Sequence, residues 1–232
     1  MELPRLDNSN LWDKTYAVLK DRIVRREFKP NQKLSIADLA SQLGVSRTPV
    51  RDALTRLETE GLVKTVSRVG TFVNAIEIDD LVDTIDMRLM LELWVVEKLP
   101  TLPPGHVTQA MRKLKDVLDQ AAAALKRFSV ESYLRTDYNL QFHLEFIKTA
   151  RNKKQEELYL AMMNYHFLAA ERSLFTKEMV KSALNQHYAI VNEMKRAMQQ
   201  QDFADLKAAI KLHLDDSKER LIRRLEANGG KI

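Results

Sequence analysis

Hydrophobic residues recur at helical spacing in the first third of the chain. One set lies at intervals of four, three and four residues, which places its members on a single helix face. The set comprises Trp12, Tyr16, Leu19 and Ile23. We predict a first helix over this set, beginning at an Asn10 cap and ending near Glu27.

Two shorter helices follow, each with its own start and stop signals. Ser35, with Asp38 three residues later, forms a capping-box-like start for the second helix, and Gly44 ends it. The third begins at Ser46, has a proline in its first turn, and stops at Gly61. The apolar faces of the two helices are Ile36, Leu39, Ala40 and Leu43, and Val50, Ala53, Leu54 and Leu57.

The hydrophobic period then changes from helix to strand. Residues 62–66 and 71–73 are short β-like runs, and residues 67–70 between them read as a hairpin tip. Three helices followed by a hairpin are complete near residue 74, and residues 75–78 form a short connector.

Only helical signals appear after the connector. The predicted helices span 80–99, 107–128, 130–150, 153–174, 177–200 and 203–226. Six helices of about 20 residues predict an antiparallel all-α bundle. We therefore predict a mainly α protein with two domains, a winged helix-turn-helix at 1–76 and an all-α domain at 77–232.

Composition narrows the possible functions. The chain has no cysteine, which excludes disulfides, thiolate zinc sites and Cys nucleophiles. It shows no basic, apolar leader and no run near the ~20 apolar residues of a membrane span, so we expect a cytoplasmic protein without a membrane partner. Catalytic fingerprints such as His-Glu-x-x-His, Gly-x-Ser-x-Gly and glycine-rich phosphate loops are missing, which argues against an enzyme.

The positive charge lies mainly in the first domain. Residues 1–76 carry 13 Lys/Arg and 9 Asp/Glu, whereas the remaining residues carry 24 and 23. A basic first domain is weak support for a nucleic-acid partner, since many solvated surfaces share this bias.

The second and third helices meet the requirements of a helix-turn-helix. Ala40 is small where the two helices cross, and Gly44 tolerates the positive φ of the turn four residues later. Val50, six residues further on, anchors the third predicted helix in the core that the two helices share. Because several independent constraints are met in one window, we predict a DNA-reading helix here.

Polar residues at the start of this helix are the predicted DNA contacts. Its first turns enter the major groove, and its free N–H groups suit a phosphate oxygen. Together with the hairpin tip, the predicted contacts are Ser46, Arg47, Thr48, Arg51, Arg68 and Gly70. Alternatively, Ser46 only caps the helix and the arginines are solvated. Arg56 is expected to be solvated or salt-bridged.

Residues 12–74 resemble the winged helix-turn-helix of the GntR family of bacterial regulators. The resemblance rests on residues 39–54 and 61–63, which read LASQLGVSRTPVRDAL and GLV. The helical remainder looks like the FCD effector-binding domain of the FadR subfamily. The resemblance implies a homodimeric repressor that binds a pseudo-palindromic double-stranded DNA operator and responds to a small acidic metabolite, such as a carboxylate.

The histidines raise the question of a metal site. From spacing alone, three scattered histidines are more often core or surface residues, although Asn139 and His143 share a helix face. The resemblance implies a divalent metal, zinc or nickel, held by Asn139, His143, His187 and His213. Asn139 stands where the family usually has Asp. The interval between His187 and His213 is about one turn longer than usual, and an alternative alignment places Val191 in the ligand position.

Candidate effector contacts lie elsewhere in the second domain. Arg88 and Glu92 match an Arg-x-x-x-Glu pair of the family, and they form either a surface pair or an inward arginine that meets an acidic effector. The remaining candidates are Asn139, Tyr165, His166 and Arg172. The alternative function is a metal-dependent hydrolase that uses the three histidines. Loss of the metal in this chain is also open.

Overall fold

The computed structural model describes residues 9–24, 27–75, 78–169 and 176–227. The first domain contains three helices and a small sheet, as predicted. The helices are α1 (Ser9–Val24), α2 (Ile36–Leu43) and α3 (Arg47–Thr59), and the strands are β1 (Lys33–Leu34), β2 (Val63–Val66) and β3 (Gly70–Val73).

Two details of this domain differ from the prediction. Asn10 lies within α1, which begins at Ser9, so it is not the cap we expected. The two-residue strand β1 was not predicted, because two residues are too few to show an alternating pattern. It pairs antiparallel with β3, so the sheet has the order β1-β3-β2.

The helix-turn-helix has the expected turn chemistry. The Asp38 amide donates to Ser35 Oγ at 3.3 Å, which confirms the N-cap of α2. Gly44 adopts φ 65° at the end of α2, and the Val45 amide donates to the Ala40 carbonyl at 3.0 Å. The inward face of α3 is fully buried and comprises Val50, Ala53, Leu54 and Leu57.

The second domain is a helical bundle. Its helices are α4 (Ile78–Lys98), α5 (Pro104–Arg127), α6 (Val130–Arg135), α7 (Tyr138–Lys148), α8 (Lys153–Ala169), α9 (Lys177–Gln200) and α10 (Ala204–Ala227), with a 3-10 turn at Leu99–Thr101. Helix α4 packs against α10, α8 and α7, and α9 packs against α10 and α5. Helix α4, which follows the connector, therefore packs against three other helices of the bundle.

The predicted helix over 130–150 is wrong, because the chain breaks at residues 136–137. Asp137 adopts a left-handed conformation with φ 52°, which a continuous α-helix does not allow. Helix α7 consequently begins at Tyr138, and Asn139 lies in its first turn. The predicted helix over 153–174 is seen to Ala169, and the rest of that span lies outside the described residues.

Helices α9 and α10 form an antiparallel hairpin. Thr176 caps α9 by accepting a hydrogen bond from the Met179 amide at 3.2 Å. Gln201, at φ 57°, ends α9 and turns the chain toward α10. Among the described helices, none combines the length and the apolar character needed to cross a membrane.

Candidate functional site

The first turns of α3 carry exposed polar side chains. Arg47, Thr48 and Arg51 are exposed, and no carboxylate among the described residues pairs with either arginine within 4 Å. Ser46 occupies the N-cap position of α3 with extended backbone, but its side chain makes no cap hydrogen bond. The hydroxyl and both guanidinium groups are therefore available to a partner outside the domain.

Arg56, on the other side of α3, is committed to the protein itself. Its Nη1 donates to Asp13 Oδ1 at 2.9 Å, and its guanidinium lies 4.0 Å from the centre of the Tyr16 ring. The expectation that Arg56 is salt-bridged is confirmed. This pair ties α1 to α3.

The hairpin tip projects a basic residue. Arg68 is exposed and adopts φ 62°, and Gly70 adopts φ 143° at the start of β3. A Cβ at Gly70 would lie 2.7 Å from Cε of Lys33, a contact that the flexible lysine side chain could relieve, so the positive φ is what favours glycine here. Glycine thus fixes the base of the tip that carries Arg68.

Three histidines from three helices meet in the core of the second domain. The Nε2 atom of His143 on α7 lies 3.1 Å from Nε2 of His213 on α10. The Nε2 atom of His187 on α9 lies 3.3 Å from that of His143 and 3.1 Å from that of His213. All three side chains are buried, and their ring nitrogens face one another.

The long interval between His187 and His213 does not separate them. His187 precedes the Gln201 turn by 14 residues and His213 follows it by 12. In an antiparallel hairpin, residues at similar distances from the turn lie side by side, so the two histidines are nearly level. The alternative that Val191 takes the ligand position is therefore wrong.

Hydrogen bonds fix the protonation of two of the rings. His143 Nδ1 lies 3.2 Å from Glu92 Oε2, and His213 Nδ1 lies 2.9 Å from Gln186 Oε1. Gln186 donates its own Nε2 to Asp216, so its Oε1 is the accepting atom. Because both outer partners accept, Nδ1 of each ring carries the proton and each Nε2 keeps a lone pair.

Burial keeps the three rings neutral. It lowers the pKa of His143, and it lowers the pKa values of His187 and His213 well below their ordinary value. The neighbouring rings and Arg88 add to the effect at His213. Lone pairs of neutral imidazoles, pointing at one another, repel unless a cation or a shared proton lies between them.

The converging nitrogens have the spacing of a metal site. Zinc–nitrogen bonds of about 2.0–2.1 Å place two ligands of one ion about 2.9–3.4 Å apart in octahedral or tetrahedral geometry. The observed separations of 3.1–3.3 Å fall in this range. Neutral imidazoles suit zinc and nickel, so the residues fit a divalent transition metal.

The Arg88–Glu92 pair is buried beside the histidines. Tyr159 donates to Glu92 Oε1 at 2.7 Å, Arg88 Nε donates to Tyr159 Oη at 3.0 Å, and Arg88 Nη2 lies 3.5 Å from Glu92 Oε1. The reading as a surface pair is wrong. Burial opposes ionisation of Glu92, but His143 and Arg88 hold the pKa of its carboxyl below the ordinary value.

The other predicted site residues are only partly placed. Asn139 is half-buried one turn before His143 on α7, and its side chain makes no hydrogen bond with any described residue. Tyr165 and His166 belong to α8 but their side chains are not described, and Arg172 lies outside the described residues.

Family comparisons agree with both halves of this structure. The family of bacterial regulatory proteins called gntR matches residues 11–73, and the FCD domain matches residues 83–216. The chain belongs to the GntR regulators that carry an FCD domain. This confirms the resemblance seen in the helix-turn-helix and the bundle.

Known relatives of this GntR regulator are transcription regulators. It is 33% identical over 138 residues to the Nta operon transcriptional regulator of Aminobacter aminovorans, a match that covers 56% of this chain and 63% of that protein. It is 26% identical over 184 residues to the transcriptional repressor GlaR of Escherichia coli K12, covering 75% and 81%. These relatives are regulators and not enzymes.

Solved structures share the fold of this GntR regulator. The E. coli protein McbR/YncC has a TM-score of 0.71 at 19% identity, covering 92% of this chain and 98% of that one. A GntR regulator from Rhodococcus sp. RHA1 has a TM-score of 0.68 at 20% identity, with the same coverages.

Sequence reasoning missed two residues of the regulator's buried site. Tyr159 joins Arg88 to Glu92 from α8, and Gln186 orients His213 from α9. The sequence analysis singled out neither residue, because each acts through a partner on another helix. A ligand histidine usually bonds a polar group through its other ring nitrogen, so a polar residue such as Gln186, next to His187, was a signal that could have been used.

Proposed function

We propose that this regulator reads operator DNA with the first turns of α3. Ser46 and Thr48 would bind phosphate, and Arg47 and Arg51 would bind base edges or phosphate in the major groove. Arg68 and the backbone at Gly70 would contact the adjacent minor groove or backbone. Exposure of these side chains, without acidic partners among the described residues, supports the assignment.

We further propose a cytoplasmic homodimer that acts as a repressor. One α3 helix reads few base pairs, so two-fold pairing on a pseudo-palindromic operator supplies the specificity. In this proposal residues 1–76 bind DNA, and residues 77–232 bind the effector and dimerise. Two relatives, GlaR and the Bacillus subtilis gluconate operon regulator, are named repressors, which supports repression over activation.

The helical domain would sense a small carboxylate through a bound metal. His143, His187 and His213 would hold zinc or nickel, and Asn139 would complete the set through its amide oxygen. The bound metal would supply a Lewis-acidic position for the carboxylate. The convergence of three neutral imidazole nitrogens within 3.3 Å is the observation that carries this proposal.

A physical route connects the histidines to the DNA-binding domain. His143 is bonded to Glu92 on α4, and α4 begins at Ile78, the last residue of the predicted connector. At the other end of the connector, Asn74 Nδ2 donates to the Gly61 carbonyl at 2.6 Å, just beyond α3. A shift of α4 would therefore change the placement of α3.

The two domains have room for such a shift. A cleft of about 470 Å³ lies between the end of α3, at Glu58 and Gly61, and the bundle, at Met87 of α4 and Met162 of α8. Any effect of ligand on operator affinity is bounded by its differential affinity for the two arrangements, typically ~1–3 kcal/mol.

A gel shift tests the proposal. The probe is the promoter fragment beside the encoding gene, titrated with zinc-loaded protein, with and without a panel of small organic acids and sugar acids. The proposal expects specific retardation that one class of acid weakens. Binding no tighter than to a scrambled fragment would contradict it.

A further inference from the structure

Arg220 on α10 is a half-buried cation that has no direct partner among the residues the structure describes. Its guanidinium makes no hydrogen bond or ion pair with any residue that the structure describes, whereas neighbouring basic residues of α10 are paired. Lys218 binds Asp86 at 2.7 Å, and Arg223 binds Glu219 at 3.1 Å. Arg220 thus differs from both neighbours.

The nearest acid on its own helix is already engaged. Asp216 lies one turn before Arg220, and its carboxylate accepts a hydrogen bond from Gln186. Burial lowers the pKa of Arg220, and Asp216 offsets this only in part. A guanidinium that burial has partly stripped of water is stabilised by an anion that hydrogen-bonds to it.

Arg220 lies on the histidine side of α10. It follows His213 by seven residues, two turns and about 10.5 Å along the axis, which places both on one face. Side chains of a helix lean toward its N-terminus, so the long guanidinium arm reaches back toward His213. The charge of Arg220 lowers the pKa values of both His187 and His213, which agrees with this direction.

Arg88, the arginine singled out by sequence, is less available to a ligand. It is 1% exposed, and its guanidinium already contacts Tyr159 and Glu92. Its positive charge is balanced within the protein by a buried carboxylate. Among the described residues, Arg220 is therefore the unpaired cation on the histidine side of α10.

We propose that Arg220 binds the second carboxylate of a short dicarboxylate whose first carboxylate is held at the three histidines. This inference rests on the proposed effector site and names its ligand class. Two anion-binding positions, separated along α10, select a molecule with an acid group at each end. A monocarboxylate would fill only the histidine end and leave Arg220 unpaired.

Calorimetric titration of the full-length, zinc-loaded protein tests this inference. The ligands are succinate and glutarate, each compared with the monocarboxylate of equal chain length, butyrate or valerate. The variants are Arg220→Gln and Arg220→Lys, with Arg223→Gln as the matched control on the exposed face of α10. Zinc content and thermal unfolding are recorded for every variant.

The expected result is a selective loss. Arg220→Gln should weaken the better dicarboxylate about 10- to 100-fold, the range of a charged hydrogen bond, and leave monocarboxylate affinity unchanged. Arg220→Lys should keep part of the preference, and Arg223→Gln should match wild type.

Three results would overturn it. They are equal affinity of wild type for di- and monocarboxylates, equal dicarboxylate affinity in Arg220→Gln and Arg223→Gln, and no dicarboxylate binding at millimolar concentration. Failure of zinc to bind would contradict the proposed metal site, and with it the position that holds the first carboxylate. Equal affinity for di- and monocarboxylates in protein that holds stoichiometric zinc would contradict the role of Arg220 alone.

Discussion

The Nε2 atoms of His187 and His213 lie 3.1 Å apart in the core of the helical domain. The Nε2 atom of His143 lies within 3.3 Å of both. Protons on the outer nitrogens of His143 and His213 leave two lone pairs pointing inward. The arrangement therefore favours a cation, or a shared proton, between the rings.

Removal of one ring should abolish metal binding. We predict that His143→Ala loses bound zinc or nickel, because two imidazoles and one amide rarely hold either ion tightly. Elemental analysis after dialysis measures the loss. His106→Ala is the control, since His106 binds the Thr149 carbonyl at 2.9 Å outside the cluster. Stoichiometric metal in His143→Ala would contradict the site.

A carboxylate at position 139 should strengthen the site. Asn139→Asp adds an anionic ligand one turn before His143, and we expect metal affinity to rise about 10- to 100-fold, the scale of changes around a ligand shell. Competition with a chelator measures the affinity. Gln141→Glu makes the same amide-to-acid change on an exposed position of α7. An equal gain in both variants would show that general charge, and not coordination, is responsible.

The metal-free protein should lose stability in acid. Burial lowers the pKa values of His187 and His213 well below the ordinary value of a histidine, and it also lowers the pKa of His143. Below an unfolded pKa of about 6.5, the unfolded chain binds more protons than the folded one, so stability falls as pH falls.

We expect the contribution of the three histidines to the free energy of unfolding to be constant above about pH 7.5. It should then decrease below pH ~6.5, by up to ~1.4 kcal/mol per pH unit for each buried histidine. Urea unfolding at a series of pH values measures it. His187→Gln should flatten the slope. A slope unchanged in that variant would show that other groups dominate the acid response.

Two arginines of α3 should be needed for operator binding. Arg47→Ala and Arg51→Ala should each weaken specific binding about 5- to 150-fold, the ~1–3 kcal/mol of a base-edge contact. Neither is paired within the described residues, so unfolding should be little affected. Arg56→Ala, which breaks the bond to Asp13, is the control on the same helix and should do less. Wild-type affinity in both single variants would show that α3 is wrongly assigned.

The protein should be a dimer that binds its operator as a dimer. Analytical ultracentrifugation at micromolar concentration should give twice the 26.8 kDa mass, and titration should give two chains per operator. A monomer in solution that binds the operator as one chain per site would contradict this prediction.

The helix-turn-helix was predictable because its determinants are local. The cap at Ser35, the positive φ at Gly44 and the inward Val50 each act within a few residues, and the structure places all three as expected. Strand β1 was missed because its two residues are held by pairing with β3, a contact made across the sequence. The break at Asp137 was missed for a related reason, since nothing in its neighbours forbids a helix.

The buried site depends on contacts between distant residues. The interval between His187 and His213, about one turn longer than usual, left open whether the two rings lie at the same level of the bundle. In the α9–α10 hairpin they are nearly level. The Arg88–Glu92 spacing fits a surface pair and an inward pair equally. Only the packing of α4 against α8 shows that the pair is buried. Tyr159 bonds Glu92 across 67 residues, so no local pattern could have identified it.

The most direct test of the central claim compares the operator affinities of the wild-type protein and His143→Ala. Each protein is titrated with the acid that releases the wild-type protein from its operator. Fluorescence anisotropy on the promoter fragment measures it. We predict that the acid weakens wild-type binding about 5- to 150-fold, and that the metal-free variant binds DNA normally but ignores the acid. A variant that lacks metal yet responds like wild type would contradict the account, because effector sensing would then not involve the histidines.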